Sequence, residues 1–425
     1  MKLKRIISIF MVVVLGMGTL SACGTREIPT EQENVKEEMG ELIPEEGAEL
    51  TFWAPSGKLE YGTAVAASFE EKYGIKVEVQ ESGLDSVNKM MLDGPSGNGA
   101  DVFVAAHDSF TSAKDAGILR ELDESAAKTV RETVSEIAVK TVESEGNLYG
   151  VPVSEESYAL LYNKDLVTGE PASTMEQIAE EAEEYNNPSE NKFWYLTVPT
   201  DGFPAYSYLS LDGFELFGEN GTDNDNPGFD TPEFEKGLER IAALKELIPI
   251  RAEDLKMETM SQLEQNFKDG QTAYYPIGPW LVQSLKDENV NFGVTSLPTL
   301  DGKQMKSFAI IQNAYVSAYT EYPKAAQLFA LYLASEEGAS LLYSEAYQIT
   351  ARKDISNVEG LKEDEELRVY VEAFQDAVPM PSVKRMSYYW TVIQSVLNAV
   401  FDQKLTPAEG AQKAQKDFDA LVASE

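Results

Sequence analysis

The chain has 425 residues and a formal net charge of −37, from 35 basic and 72 acidic side chains. No cluster of Lys and Arg stands out, which argues against nucleic acid as a partner, because phosphate recognition needs such clusters. One cysteine and one histidine exclude an internal disulfide framework and a metal site built on histidines.

From the N-terminus, Lys2, Lys4 and Arg5 precede the almost wholly apolar Ile6 to Leu20, and Leu20-Ser21-Ala22-Cys23-Gly24 follows. A charged start, a short apolar core and small residues at a cleavage point describe a secretory signal over residues 1–22, too short for a spanning helix. Leu-Ser-Ala-Cys resembles the lipobox of bacterial lipoproteins. That resemblance implies diacylation of the Cys23 thiol and cleavage just before it. Buried lipid contributes about 0.8 kcal/mol per CH₂, so two acyl chains hold a protein at a membrane far better than one. The expected location is the outer face of the cell membrane, lipid-anchored and not spanning. No free thiol then remains for nucleophilic catalysis. Residues 23–48 carry the lipidated cysteine and an acidic tether, with Glu27, Glu31, Glu33, Glu37, Glu38, Glu41, Glu45 and Glu46 among few apolar residues. Such a stretch buries too little surface to offset its ordering entropy and reads as a charge-extended spacer, with a short solvated helix as the alternative.

The remaining chain, roughly 400 residues, exceeds the usual size of one hydrophobic core, so two lobes are expected. Leu50 to Trp53 reads as a first strand. Val65, Phe69 and Tyr73 recur at helical spacing with Ala66 on the same face, and Gly74 marks the stop. Ile75 to Val79 alternates as a strand, completing a β-α-β unit of right-handed crossover. Val102 to Ala106 and Ala159 to Tyr162 are continuous apolar runs, as in buried strands. Trp194 to Val198, Thr272 to Pro276 and Phe308 to Tyr319 are further extended segments. Helical periodicity covers Phe234 to Leu247, Pro323 to Ser335, Tyr389 to Phe401 and Pro407 to Ala423. This alternation predicts α/β architecture with helices on both sheet faces.

Catalytic signatures are scarce. A Ser-His-Asp triad would need His107, and no G-x-S-x-G elbow is present. Gly94 to Gly99 lacks the Lys-Ser/Thr of a phosphate-binding loop and reads as a turn. Asp223-Asn224-Asp225-Asn226-Pro227-Gly228 starts like a calcium loop. Pro at its fifth position and Phe234 at its twelfth make it a surface turn. Paired carboxylates that hydrolyse glycosides leave no local mark, so that chemistry stays open. Four Trp, 20 Tyr and 18 Phe stand beside scattered carboxylates. Aromatic planes cover the C–H faces of sugars, and ionised side chains take hydroxyls as charge-assisted hydrogen bonds, about 1.5–3 kcal/mol each.

Several stretches carry a family resemblance: Phe69-Glu70-Glu71-Lys72-Tyr73-Gly74-Ile75-Lys76-Val77, Ala106-His107-Asp108-Ser109-Phe110, and Ala159 to Leu166 with its Tyr162-Asn163-Lys164-Asp165. Ile277-Gly278-Pro279-Trp280, Asn291 to Thr295, Leu297-Pro298-Thr299, and Met380-Pro381 through Met386-Ser387-Tyr388-Tyr389-Trp390 extend it. The chain resembles maltose/maltodextrin-binding proteins, the solute-binding subunits of maltooligosaccharide ABC importers, from Leu50 to its C-terminus. The resemblance implies a two-lobed periplasmic-binding-protein-like fold with a hinge and an interlobe cleft. Residues 49–154 and 313–359 would form one lobe, and 157–308 and 360–425 the other. It implies a non-enzymatic monomer without cofactor or metal. Its partners would be a maltooligosaccharide and the permease subunits of an importer.

Carried over position by position, the resemblance implies ligand contacts from Lys58, Asp108, Glu156 (or its neighbour Glu155), Asp201, Phe203, Trp280, Tyr389 and Trp390. Well-studied members often have Trp-Ala-His-Asp-Arg where this chain has Ala105-Ala106-His107-Asp108-Ser109. One sugar platform and one hydroxyl clamp are therefore missing. Tyr206, Tyr208, Tyr388 or Tyr389 are candidates to compensate, which moves the expected ligand from maltose toward longer chains. A binder of another oligosaccharide, an extracellular glycosidase and a surface starch adhesin are the other readings.

Overall fold

The computed structural model describes residues 42–83, 85–256, 259–358 and 360–425. Cys23, the signal and most of the expected tether lie outside these residues. Glu49–Pro55 (β1), Leu59–Tyr73 (α1) and Lys76–Ser82 (β2) form the expected β-α-β unit, with β1 and β2 parallel. α1 buries Val65, Ala66 and Phe69 on one face. It stops where Gly74 turns left-handed at φ 71° and its N–H bonds the Glu70 carbonyl, a conformation that costs glycine little. Val102–Ala106 (β3) pairs in parallel with β1 and is almost wholly buried.

Val151–Glu156 (β4), Ala159–Asn163 (β5), Phe193–Tyr195 (β6), Thr272–Ile277 (β7), Phe292–Thr295 (β8), Phe308–Val316 (β9), Ile349–Thr350 (β10) and Val378–Pro379 (β11) complete two main sheets. The first runs β10-β4-β9-β3-β1-β2, with β11 beside β9. The second runs β8-β5-β7-β6. Each sheet has its own buried core. One holds Phe52, Phe69, Phe103, Tyr315 and Phe329. The other holds Leu160, Tyr195, Phe234, Tyr274 and Phe401. These are two α/β lobes. The chain passes between them more than once. Val151 and Val153 of β4 lie in the first core, whereas Tyr158 just beyond lies in the second. β9 starts at Phe308 in the second core and continues through Ile311 to Val316 in the first. β10 is followed by a return to the second core at Val358 and Leu361.

The helices that shape the second lobe are Gly202–Leu209 (α2), Pro232–Leu247 (α3), Met260–Lys268 (α4), Met386–Phe401 (α5) and Pro407–Val422 (α6). Thr231 caps α3 by accepting the Phe234 N–H, and Thr406 with Glu409 forms a reciprocal capping box on α6. Such caps satisfy otherwise orphaned donors at about 1 kcal/mol each. Gly237 of α3 lets α2 close in: a Cβ there would stand 2.6 Å from the Leu209 Cα. The extended reading of Trp194 to Val198 is cut short at Tyr195. Leu196 donates one last bond to the Tyr274 carbonyl, and the chain then leaves the sheet. α2 was not legible as a helix because nearly all its residues are buried, so no amphipathic period marks it. The Asp223 to Gly228 segment is a turn held by Arg385, whose N–H bonds the Asn224 Oδ1 at 3.0 Å.

Candidate ligand-binding cleft

Strand ends deliver the candidate side chains. β1 ends at Pro55, and Lys58 follows at the start of α1. β3 runs directly into His107-Asp108-Ser109. On the other lobe, β6 leads through a short loop to Asp201, and β7 runs into Gly278-Pro279-Trp280. In α/β sheets, ligands gather at such carboxyl ends.

Asp108 meets Trp390 across the lobes: the indole Nε1–H donates to Oδ2 at 2.9 Å. His107, one residue earlier, is buried and ties the same junction. The Ile311 N–H donates to Nδ1 at 3.1 Å, which leaves Nε2 to donate to the Met380 carbonyl at 3.1 Å. Burial lowers the His107 pKa to about 4, so the imidazole is neutral and its tautomer is set by these two bonds. Burial also pushes the Asp108 carboxyl up to about 6, against the hydrogen bond from Trp390. The resemblance implies that Asp108 accepts sugar hydroxyls, which favour the ionised form, so such binding would expel the remaining proton. Oligosaccharide affinity is therefore expected to fall about tenfold between pH 7 and pH 5. Titrations near pH 6 in two buffers of different ionisation enthalpy should report proton release, and identical heats would contradict it. The stability of the free protein moves the other way. The folded state holds this proton more tightly than the unfolded chain, so ionising Asp108 costs stability as pH rises from about 4 through 6.

Lys58 reaches the hinge. Its Nζ donates to the Glu156 Oε1 at 2.9 Å and the Gln348 Oε1 at 3.0 Å. Glu155 projects elsewhere: its carboxylate accepts the Ser135 hydroxyl at 2.7 Å. Alternation along β4 makes the two glutamates face opposite ways, and it is Glu156 that shares a face with Lys58.

Asp201 is the N-cap of α2, with its Oδ1 accepting the Phe203 N–H at 2.9 Å. The next residue must be small. A Cβ on Gly202 would sit 2.7 Å from the Ile393 Cγ2 and 2.9 Å from the Tyr389 Cε1. Tyr389 is fully buried and donates its hydroxyl to the Gly202 carbonyl at 2.8 Å. It was expected among the ligand contacts, but burial takes it out of ligand reach, and it holds the Asp201–Phe203 turn from behind. Tyr206 and Tyr208 are likewise buried, and the Tyr388 hydroxyl goes to Glu425 at 3.0 Å. Among these tyrosines, none of the three buried ones offers surface to replace a missing platform.

Trp280 folds back over Gly278, where a Cβ would collide with its ring at 1.9 Å; this is the physical content of the Gly-Pro-Trp motif. The half-buried aromatics are linked through buried ones. Trp280 meets Tyr158 edge-on at 5.8 Å, and Tyr158 meets Phe203 at 4.9 Å. Phe203 meets Phe308 at 5.8 Å, and Phe308 meets Trp390 at 6.4 Å. Trp280, Phe203 and Trp390 thus belong to one aromatic wall. Ala105 is buried, and the Ser109 hydroxyl turns back to the Ala106 carbonyl at 2.7 Å. Neither brings an aromatic or a cation to the wall. Sequence reading missed Tyr158 and Gln348. For Tyr158 the only signal was its spacing two residues beyond Glu156.

A family model described as bacterial extracellular solute-binding protein matches residues 64–369, more than half the chain. The chain belongs to this family. Among relatives of this solute-binding protein, a galactooligosaccharide-binding protein of Bacillus subtilis (strain 168) is 28% identical, covering 97% of this chain and 96% of that one. A maltooligosaccharide ABC transporter solute-binding lipoprotein of Streptococcus pneumoniae serotype 4 is also 28% identical, covering 96% and 95%. Its fold is similar to the crystal structure of MalX from Streptococcus pneumoniae in complex with maltopentaose, with TM-score 0.79, 27% identity, and 88% and 100% of the two chains covered. It is similar too to a cyclo/maltodextrin-binding protein complexed with maltotetraose, with TM-score 0.74, 29% identity, and 88% and 97% covered. No helix among the described residues is long and apolar enough to cross a membrane.

Proposed function

We propose that this solute-binding protein captures maltooligosaccharides for an ABC importer, held at the cell surface by lipid on Cys23. The observation that carries this reading is the aromatic wall of Trp280, Phe203 and Trp390, whose Trp390 indole donates across the lobes to the Asp108 carboxylate. Planar rings fit the C–H faces of glucose units, and Asp108, Asp201 and Glu156 fit their hydroxyls. Lys58, Asp108, Glu156, Asp201, Phe203, Trp280 and Trp390 are the proposed contacts. Asp108 comes from one lobe; Asp201, Phe203, Trp280 and Trp390 come from the other. A ligand that touches both lobes favours the state in which they are close, which is how hinge closure follows from binding. The likeness to proteins solved with maltotetraose and maltopentaose supports the ligand class. The small residues Ala105 and Ser109 support a preference for chains longer than maltose. A galactooligosaccharide is the second reading, favoured by the relative of that name.

Isothermal titration against maltose, maltotriose, maltotetraose and a galactotetraose tests the proposal. Maltotetraose is expected to bind tighter than maltose and at least tenfold tighter than the galactotetraose. The sugar should be recovered intact. Tighter binding of maltose would remove the chain-length claim, and tighter binding of the galactotetraose would remove the ligand class.

A further inference from the structure

The crossing that runs through β10 begins at a strained turn. The helix Glu336–Ala346 lies on the first lobe, with Leu342 in that core and Glu337 paired to Lys72 of α1 at 3.0 Å. It ends at Tyr347, whose backbone is left-handed at φ 50° and ψ 46°. A bulky side chain keeps that conformation only where its surroundings hold it. The holding groups come from the second lobe. Lys286 donates to the Tyr347 hydroxyl and its Nζ stands 4.4 Å from the ring centroid. The hydroxyl in turn donates to the Asp364 Oδ2, which Lys286 also reaches at 2.9 Å. Asp364 is itself fixed, its Oδ1 accepting the Leu367 N–H at 2.9 Å. Leu285, Leu361 and Leu367, which flank these groups in the chain, all lie in the second core.

Gln348 comes next in the chain and is fully buried. β10 pairs Ile349 with Glu155, and continuing that register by one residue sets Gln348 beside Glu156. Both meet one ammonium: the Lys58 Nζ donates to Glu156 at 2.9 Å and to the Gln348 Oε1 at 3.0 Å. The Gln348 Nε2 is buried without a partner. An amide turned the other way would aim its N–H₂ at the ammonium, so Lys58 fixes the orientation and the orphaned donor follows from it. Buried polar groups are nearly always paired, so this exception calls for an explanation. Contact with ligand is not the explanation, because Gln348 is sealed from the cleft.

We infer that Gln348 is a positioning residue for Lys58, and that the clamp of Tyr347 to Lys286 and Asp364 fixes Gln348 in turn, so that the second lobe sets where the first lobe's ligand-contacting lysine stands. This rests on the reading of Lys58 as an oligosaccharide contact. Lys58 ends a flexible four-carbon stem, and a ligand that had to order it would bind more weakly than one that finds it held. Glu156 alone would pin the charge without fixing its direction. A second acceptor fixes the direction, and a neutral one does so without burying another charge. Two of the three ammonium donors are then taken, which leaves one N–H for a sugar oxygen.

Gln348→Met keeps the length and removes the acceptor; Tyr347→Phe keeps the ring and removes the hydroxyl. Each is to be titrated with maltotetraose and with the galactotetraose, in the wild-type background and in Lys58→Met, alongside thermal melts. Where Lys58→Met does not fold, Lys58→Met with Glu156→Gln replaces it. Gln348→Met is expected to weaken binding of whichever tetraose the wild type prefers by about tenfold, and Tyr347→Phe by about threefold. In the background without Lys58 both effects should shrink to within about 1.5-fold, because the residue being positioned is gone. A merely structural role would give the same loss in both backgrounds, and that result overturns the inference while the function stands. Unchanged affinity with a lowered melting temperature would assign Gln348 and Tyr347 to packing alone and also overturn it. If Lys58→Met binds as wild type does, Lys58 is no contact and the inference falls with it. If wild type prefers the galactotetraose, the ligand class fails, and the same comparison read with that sugar decides the inference. If wild type binds neither sugar, the proposed function fails and the inference with it.

Discussion

Trp390→Ala is expected to lower maltotetraose affinity by about 2 kcal/mol or more, roughly 30-fold. Two losses combine. The indole leaves an aromatic wall in which it meets Tyr389 at 4.8 Å and Phe308 at 6.4 Å. Its N–H also leaves Asp108, a carboxyl already penalised by burial. Trp390→Phe separates the two, because it keeps a ring and loses the donor. It should recover part of the affinity and shift the pH profile to higher pH, since the Trp390 bond is what holds the Asp108 carboxyl down. Trp280→Ala removes a platform without touching Asp108 and is expected to cost a similar amount with no change in the pH profile. Titration calorimetry across pH 5 to 8 reads both. Near-unchanged affinity in both alanine variants would refute the proposed site.

Lys58→Met should be the most damaging single change to stability at the hinge. The Glu156 side chain is 5% exposed and the Lys58 side chain 14%. Removing the ammonium leaves a buried carboxylate without its counter-charge, and breaking such a pair costs about 3–5 kcal/mol. The same change deprives Gln348 of its donor. Guanidinium unfolding is expected to show a lower midpoint. Adding Glu156→Gln to Lys58→Met should restore more than half of the loss, because the buried charge is then gone. Lys128→Met is the contrasting case. Its 3.9 Å pair with Glu132 is 73% and 63% exposed, and such a solvated pair contributes little. Equal losses in the two lysine variants would mean that Lys58 and Glu156 are not coupled in the way their geometry requires.

Much of the architecture was legible from local pattern. The helices at Pro232–Leu247, Pro323–Leu333 and Pro407–Val422 begin and end within a few residues of where periodicity places them. Val102–Ala106 is a strand over the residues of its apolar run. These features depend on neighbours along the chain, and a local window contains their causes. Gly74, Gly278 and Gly202 were visible as letters, but only packing gives the reason for the last two: the Trp280 ring over one, and Ile393 and Tyr389 against the other.

Sequence alone determined the alternating strands and helices, the need for two cores, and a set of aromatics and carboxylates in family motifs. Tertiary structure alone decided which of those side chains share a surface. Lys58 and Gln348 are 290 residues apart in sequence and bonded in space, as are Asp108 and Trp390 at 282. Tyr389 and Trp390 are adjacent in sequence, yet one is sealed in the core and the other half-buried at the wall. The reason is geometric. Successive residues on a helix point about 100° apart, and which direction meets solvent is set by the helices and strands packed around it.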